Sequence, residues 1–272
     1  MLKPAWILNW TAALSDLLFP IECLSCGQEG AWLCLACQKS LPYKISRHCP
    51  HCGSATPWGE TCAPCRRVKA LDGALSLIPY AEPLAQNLIH AWKYQGIKSL
   101  SNELGNYMAA GLEIINQRLA KVRHQIQLGL ARQDLLSYPL LPTLLLNKNT
   151  ILIPVPLHKK KLRQRGFNQA YDLAQAISEK TGYPVLDIME RPKHTAAQAT
   201  LHETDRFTNI QDAFRLKDKA DDLVGKNILI VDDVITTGAT IETMAKILKS
   251  AGVSSIWALT IAYGHPLESK TG

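Results

Sequence analysis

The stretch Ile228-Leu229-Ile230-Val231-Asp232-Asp233-Val234-Ile235-Thr236-Thr237-Gly238-Ala239-Thr240 decides the fold. Its four leading apolar residues read as a strand buried on both faces, the pattern of a parallel sheet. Two adjacent carboxylates follow at the carboxyl end of that strand, then a Thr/Gly turn, and residues 241–248 have helical spacing. Ligands of open α/β sheets bind at the carboxyl ends of strands. A Gly/Thr turn that opens a helix offers backbone N–H groups and hydroxyls to a phosphate. The paired carboxylates would repel that phosphate, so they face another part of the same ligand. Vicinal ribose hydroxyls or a metal ion suit them, and the guest implied is a sugar phosphate.

Upstream, Ile151-Leu152-Ile153-Pro154-Val155-Pro156 reads as a second short buried strand, unusual in carrying two prolines. Of the seven residues that span 159–165, five are Lys or Arg. They read as a strongly cationic loop that ends at Gly166, ahead of a helix over 170–180. A loop of this kind, between a strand and a helix, can hold a pyrophosphate; a solvated basic surface loop is the alternative. Residues 191–214 are polar and irregular, the character of a lid. Residues 71–80 and 254–262 read as further strands. Residues 83–107 read as helical, broken at Tyr94-Gln95-Gly96. Residues 117–150, rich in Leu and Gln, read as a helix followed by a loop, and as an insertion. The alternation of strands and helices argues an α/β fold with a parallel sheet flanked by helices.

All eight cysteines lie between Cys23 and Cys65, in four Cys-x-x-Cys pairs. Such pairs suit tetrahedral thiolate coordination, each turn supplying two ligands. Sequential pairing puts Cys23, Cys26, Cys34 and Cys37 on one zinc and Cys49, Cys52, Cys62 and Cys65 on a second; interleaved pairing stays open. Disulfides and an iron–sulfur cluster are the competing readings. Disulfides fit poorly with four tight pairs and the lack of an export signal. Metal binding would supply the folding energy of a module this poor in apolar residues, and a saturated four-Cys site is structural. His48 and His51 sit beside one pair, where the thiolates already suffice as ligands.

The 272 residues carry a formal charge of +7, which favours anionic partners, either phosphorylated small molecules or nucleic acid. No run is long and apolar enough to be a transmembrane segment. Trp6, Trp10, Ala13, Leu14, Leu17 and Leu18 share a helical face, so residues 1–22 read as an amphipathic helix rather than a signal peptide. The expected division is that helix, a double zinc-ribbon-like module over 23–70, and an α/β domain over 71–272, with 117–150 inserted.

The segment 228–240 resembles the 5-phosphoribosyl-1-pyrophosphate (PRPP) motif of type I phosphoribosyltransferases: an apolar strand, two acidic residues, two more residues, then Thr-Thr/Ser-Gly-x-Thr. The whole chain resembles the ComF family of competence-associated, phosphoribosyltransferase-like proteins. Leu17-Leu18-Phe19-Pro20 before the first cysteine pair, the double zinc module, and Trp92-Lys93-Tyr94-Gln95-Gly96 carry that resemblance. So do Pro154-Val155-Pro156, Arg165-Gly166-Phe167-Asn168-Gln169-Ala170, and Gln198, Arg206, Asn209 and Ala213-Phe214 of the lid. The Leu-rich stretch over 117–150 is longer than that pattern.

The resemblance implies a type I phosphoribosyltransferase fold. It implies that Asp232 and Asp233 hold the ribose hydroxyls of PRPP with Mg²⁺ close by, and that Asp233 is a candidate acid/base group. Thr236, Thr237, Gly238, Ala239 and Thr240 would cradle the 5′-phosphate, and Arg163, Arg165 and Gly166 would lie near the pyrophosphate. Transfer of ribose 5-phosphate from PRPP is the implied activity. The implied setting is cytoplasmic, in natural transformation and DNA uptake, with single-stranded DNA and other DNA-uptake proteins as partners. Nucleobase salvage is one alternative, and a single-stranded-DNA-binding module on a vestigial transferase fold is another.

Overall fold

The computed structural model describes residues 20–129, 149–192, 213–217 and 221–264. Most of the amphipathic helix expected over 1–22, most of the insertion expected over 117–150, and Gln198, Arg206 and Asn209 of the expected lid lie outside the described residues. The chain divides into two compact units, Met1–Pro42 and Tyr43–Gly272.

In the first unit the described part is a cysteine turn followed by helix α1 (Leu35–Ser40). Cys34 is the N-cap of α1, and its sulfur accepts from the Cys37 N–H. The second unit opens with a matching cysteine turn and the four-residue helix α2 (Ala63–Arg66). Then follow β1 (Gly73–Pro79), α3 (Pro83–Tyr94), α4 (Leu100–Gln127), β2 (Thr150–Pro154), α5 (Lys159–Arg165) and α6 (Gln169–Thr181). The short strands β3 (Met189–Glu190) and β4 (Arg215–Leu216) form an antiparallel pair. The unit ends with β5 (Asn227–Ile235), α7 (Ala239–Ser250) and β6 (Ser255–Tyr263). Among the described residues no helix is long and apolar enough to cross a membrane.

The main sheet has the order β1-β6-β5-β2, and every pairing is parallel. Strand alternation sorts the apolar residues of β5 into two cores. Ile228 and Ile230 pack with Ile241, Met244, Ala245 and Leu248 of α7, together with Met189 and Phe214. Leu229 and Val231 point the other way and are equally buried. That face is covered by α6, which packs against β2, β5 and α4. The α/β fold with a parallel sheet flanked by helices is therefore as the sequence implies.

Two local features differ from the sequence reading. The central strand does not stop after four apolar residues but runs through both carboxylates to Ile235, because β6 keeps pairing with it as far as Tyr263. On the other side, β2 ends at Pro154, opposite Val231. Proline lacks the N–H that would extend the ladder, and the Val155 N–H to Val231 carbonyl bond, at 3.0 Å, follows it. Past Val231, β5 is thus paired on the β6 side only, and Asp232 and Asp233 stand at a one-sided opening.

The second difference is the cationic segment. Residues 159–165, expected as a loop, form helix α5. The His158 side chain caps it, accepting from the Lys160 N–H at 3.2 Å, and Gly166, with φ of 80°, ends it in the left-handed region. Arg163 and Arg165 fall in the last turn, where cations suit the negative end of a helix.

Candidate functional site

Asp232 and Asp233 are neighbours in a strand, so their side chains leave on opposite faces of the sheet. Asp232 follows Ile228 and Ile230 toward the side of α7 and the β3–β4 pair. Asp233 follows Leu229 and Val231 toward the helices on the other side. Each meets a different cation. Asp233 Oδ2 lies 2.6 Å from Lys93 Nζ, and both side chains are mostly buried. Lys93 gets there because the preceding residue, Trp92, is fully buried and donates its indole N–H to Ser101 Oγ at 2.9 Å, which fixes the end of α3.

Asp232 faces the charge of Arg191, whose guanidinium lies over the Phe214 ring, 5.1 Å from its centroid. Burial, and after it the negative charge of Asp233, push the Asp232 carboxyl up to about 7. The Asp233 N–H, which donates to Asp232 Oδ1 at 2.9 Å, opposes the shift, as do Lys93 and Arg191. Burial also pulls the Arg191 guanidinium down, against the pull of Asp232.

After β5 the chain turns at Thr236 and Thr237, both exposed, and enters α7 through Gly238. Gly238 has a φ of 68°, a conformation that a side chain would strain, and it caps α7 without a side-chain acceptor. The first N–H groups of a helix have no partner within the helix. Here Thr237 Oγ1 reaches only the Ala239 N–H, at 3.4 Å. Ala239 and Thr240 are half-buried at the mouth of this turn. By contrast, α6 is closed by its own cap, with Asn168 Oδ1 accepting from the Ala170 N–H at 3.2 Å. Of the helices that directly follow strands of the main sheet, α5 is capped by His158, whereas α3 and α7 start without a side-chain cap, and α7, which begins at a glycine beside the two carboxylates, is open to an anion.

On α5, Lys161 and Arg165 are four residues apart and share a face, whereas Arg163 between them points elsewhere. Arg165 donates to Gln169 Oε1 at 3.3 Å and lies over the Tyr94 ring, 5.7 Å from its centroid. Burial, then the charges of Arg191, Arg165 and Lys93, pull the Lys161 amine down from its usual range, with Asp233 opposing. Lys93, Lys161, Arg165 and Arg191 therefore form one cationic group around the two carboxylates. Gly166 and Arg163 are exposed beside it.

Lys93 and Arg191 were not among the sequence-predicted pyrophosphate residues, and Lys161 was included only as one of the five cations of the 159–165 run. That Lys161 shares a face with Arg165 was not legible, because the run was read as a loop and only its folding as a helix sorts its cations. Lys93 was not legible either, because its approach to Asp233 depends on a contact across about half of the chain.

The cysteines form two groups of four, Cys23/Cys26/Cys34/Cys37 and Cys49/Cys52/Cys62/Cys65, each with its sulfurs within 4.8 Å of one another. Cys26 and Cys34 sulfurs are 3.7 Å apart, and those of Cys52 and Cys62 3.5 Å. A tetrahedron with zinc–sulfur bonds of about 2.3 Å has edges of about 3.8 Å, whereas a disulfide would need about 2.05 Å. The donor sets fit two structural zinc ions in the sequential pairing.

The two turns are built alike. Cys23 N–H donates to the Gln28 carbonyl and Cys49 N–H to the Ser54 carbonyl, both at 2.8 Å. The Cys34 N–H points at Cys23 Sγ and the Cys62 N–H at Cys49 Sγ, both at 3.4 Å, donors that favour the thiolate form.

Comparison with known proteins agrees with this anatomy. Residues 162–270 match the phosphoribosyl transferase domain family, and residues 14–66 match the double zinc ribbon domain family. Competence protein F of Haemophilus influenzae is 33% identical over 235 residues, which cover 85% of this chain and 90% of that protein. Competence protein ComFC of Bacillus subtilis is 26% identical over 235 residues, 82% of each chain. DNA utilization protein YhgH of Escherichia coli is 27% identical over 236 residues, 85% of this chain and 91% of the relative. With a double zinc ribbon ahead of a phosphoribosyltransferase domain and full-length relatives of this kind, the chain belongs to the ComF family.

Proposed function

We propose that this chain is a competence-type DNA-handling protein whose transferase domain binds PRPP with Mg²⁺. The observation that carries the reading is the juxtaposition at the carboxyl end of β5. There an open helix start, two carboxylates and the cations Lys93, Lys161, Arg165 and Arg191 come together at one end of the sheet. PRPP presents matching groups: a 5′-phosphate for residues 236–240, ribose hydroxyls for Asp232 and Asp233, and a pyrophosphate for the cations. Because Lys161 and Arg165 share a face of α5, we assign the pyrophosphate to them and to Lys93 before Arg163.

Asp232 and Asp233 are the residues that would hold Mg²⁺, which would supply neutralisation of charge on the leaving group. The chain's own cations do the same from fixed positions, which favours departure of pyrophosphate as the ribosyl carbon becomes cationic. Asp232 and Asp233 sit where that positive charge is stabilised. Asp233 holds its proton-accepting oxygen against Lys93 Nζ, so that an acid/base role requires Lys93 to move away.

Incubating the protein with Mg²⁺-PRPP and a panel of purines and pyrimidines separates transfer from binding. Pyrophosphate release with one base establishes a transferase, and its absence with every base, alongside PRPP binding, leaves a sensor. In the source organism, deletion of the chain is expected to lower uptake or use of external DNA, and unchanged DNA use would count against the competence setting.

A second reading, direct binding of single-stranded DNA, is favoured by one surface. Tyr94 is 68% exposed, with His90 packed against it at 4.9 Å and Arg165 over it. An exposed ring among cations is what a single strand stacks on. Salt-dependent binding of an oligonucleotide that weakens in Tyr94→Ala is the expected result if this surface is used.

A further inference from the structure

Glu242 lies in the first turn of α7, beside the turn we assign to the 5′-phosphate, and its side chain is 9% exposed. A free negative charge there would oppose an anionic ligand. Its oxygens are engaged elsewhere. Oε1 accepts from the Ala70 N–H at 3.0 Å, and Oε2 accepts from the Leu71 N–H at 3.2 Å and lies 3.8 Å from His51 Nε2. His51 stands between the metal ligands Cys49 and Cys52, and Ala70 and Leu71 belong to the segment that leaves Cys65. One carboxylate therefore ties both cysteine pairs of the second group to the start of α7.

Other contacts join the same parts. The Pro50 carbonyl oxygen, in the first of these pairs, is 3.5 Å from where a Cβ on Gly238 would stand. A cavity of about 20 Å³ separates Ser46, Cys49 and Pro50 from Ile235, Thr236 and Gly264, room for about one water. The module is also sewn to β1: Ser46 N–H to the Ser76 carbonyl at 2.9 Å, Ala74 N–H to the Gly59 carbonyl at 2.9 Å, and Thr61 N–H to the Asp72 carbonyl at 2.8 Å. The four-residue α2 is too short to hold its own shape. The tetrahedral thiolate site is what fixes these turns, and they in turn fix α7.

We propose that the Cys49/Cys52/Cys62/Cys65 site is a positioning element of the phosphate cradle. Its metal holds Pro50 and His51 against Gly238 and Glu242, and so sets the turn and the first N–H groups of α7. This deepens the PRPP reading and rests on it. Loss of that metal loosens residues 236–243 while the sheet beneath stays formed, and the affinity for the phosphate end of the ligand falls with it.

The full chain, loaded with zinc, is compared with Cys62→Ser, which removes one thiolate, and with Glu242→Gln, which keeps all eight. Hydrogen exchange of the backbone amides is followed in each, together with calorimetric titration by ribose 5-phosphate. The expected result is exchange at residues 236–243 faster by about tenfold or more, with β6 still protected. Ribose 5-phosphate binding weakens by about tenfold or more in both variants. Glu242→Gln is expected to keep its full zinc content, so the effect there reports the link and not loss of the metal.

If Cys62→Ser loses protection throughout, Glu242→Gln alone decides. Unchanged exchange and unchanged affinity in Glu242→Gln overturn the proposal, as does a folded Cys62→Ser that has lost a zinc and binds normally. No binding by the loaded wild-type chain, with exchange responding as expected, removes the ligand reading and leaves the mechanical link. No binding and no change in exchange remove both.

Discussion

Asp232 and Asp233 differ because a strand turns neighbouring side chains to opposite faces. Asp233 meets Lys93 at 2.6 Å, while Asp232 is held up to about 7 by burial and by Asp233. A carboxyl whose folded value lies above its ordinary 3.8 keeps its proton on folding when the unfolded chain has lost its own. Asp232 therefore adds nothing to the pH dependence of stability below about pH 4, and destabilises the fold increasingly as pH rises toward 7. Asp232→Asn is expected to gain stability relative to wild type across that window, and to keep a constant difference above it, in urea unfolding followed from about pH 4 to about pH 8.

Lys93→Met leaves Asp233 with its nearest counter-charge removed. PRPP affinity is expected to fall by about tenfold or more, as a charge-assisted contact implies, with ribose 5-phosphate affected less. Equal losses for the two ligands would place Lys93 away from the pyrophosphate.

At this scale the sequence showed the carboxylates and the turn, because they are contiguous in it. It concealed Lys93 and Arg191, which arrive from distant elements through the packing of Trp92 and Phe214.

Among the elements, α5 shows why a charge run is hard to read. Five cations in seven residues repel one another and carry no apolar stripe, so periodicity offers no helix. The helix forms because His158 caps its start and Gly166 stops it. Its geometry sorts the cations: Lys161→Ala and Arg165→Ala are each expected to weaken PRPP binding by about fivefold or more, and Arg163→Ala by less than about twofold. Equal effects at all three positions would mean that total charge, not the face of the helix, is what the ligand meets.

The pairing of α4 with α6 gives a structural counterpart. A Cβ on Gly105 would collide with the Ala176 Cβ. Gly105→Val is expected to cost about 1–3 kcal/mol in urea unfolding, by forcing the helices apart. The four strands of the main sheet were legible directly from their apolar runs, whereas the two-residue strands β3 and β4 were not. Where β5 ends was not, since that depends on β6 pairing on one side and Pro154 ending β2 on the other.

For the whole molecule, the cysteine spacing foretold two four-thiolate groups, and the sulfurs cluster in sequential fours. Two zinc ions per chain are expected on metal analysis after thiol modification, and a value of one would leave one group without metal. What the spacing could not disclose is that the second group lies in the same compact unit as the sheet, beside Gly238 and the turn that opens α7. That placement depends on Glu242, a lone acidic residue in an ordinary amphipathic helix.

Together these parts make one claim: the end of β5 is a PRPP site, with its carboxylates, open helix start and cations matched to one ligand. Calorimetric titration with PRPP, with and without Mg²⁺, on wild type and on the Asp232→Asn/Asp233→Asn variant, tests it most directly. The account predicts saturable binding that Mg²⁺ strengthens and that the double variant weakens by about tenfold or more. Absence of saturable binding by the zinc-loaded wild type, or equal affinity in the double variant, would contradict it.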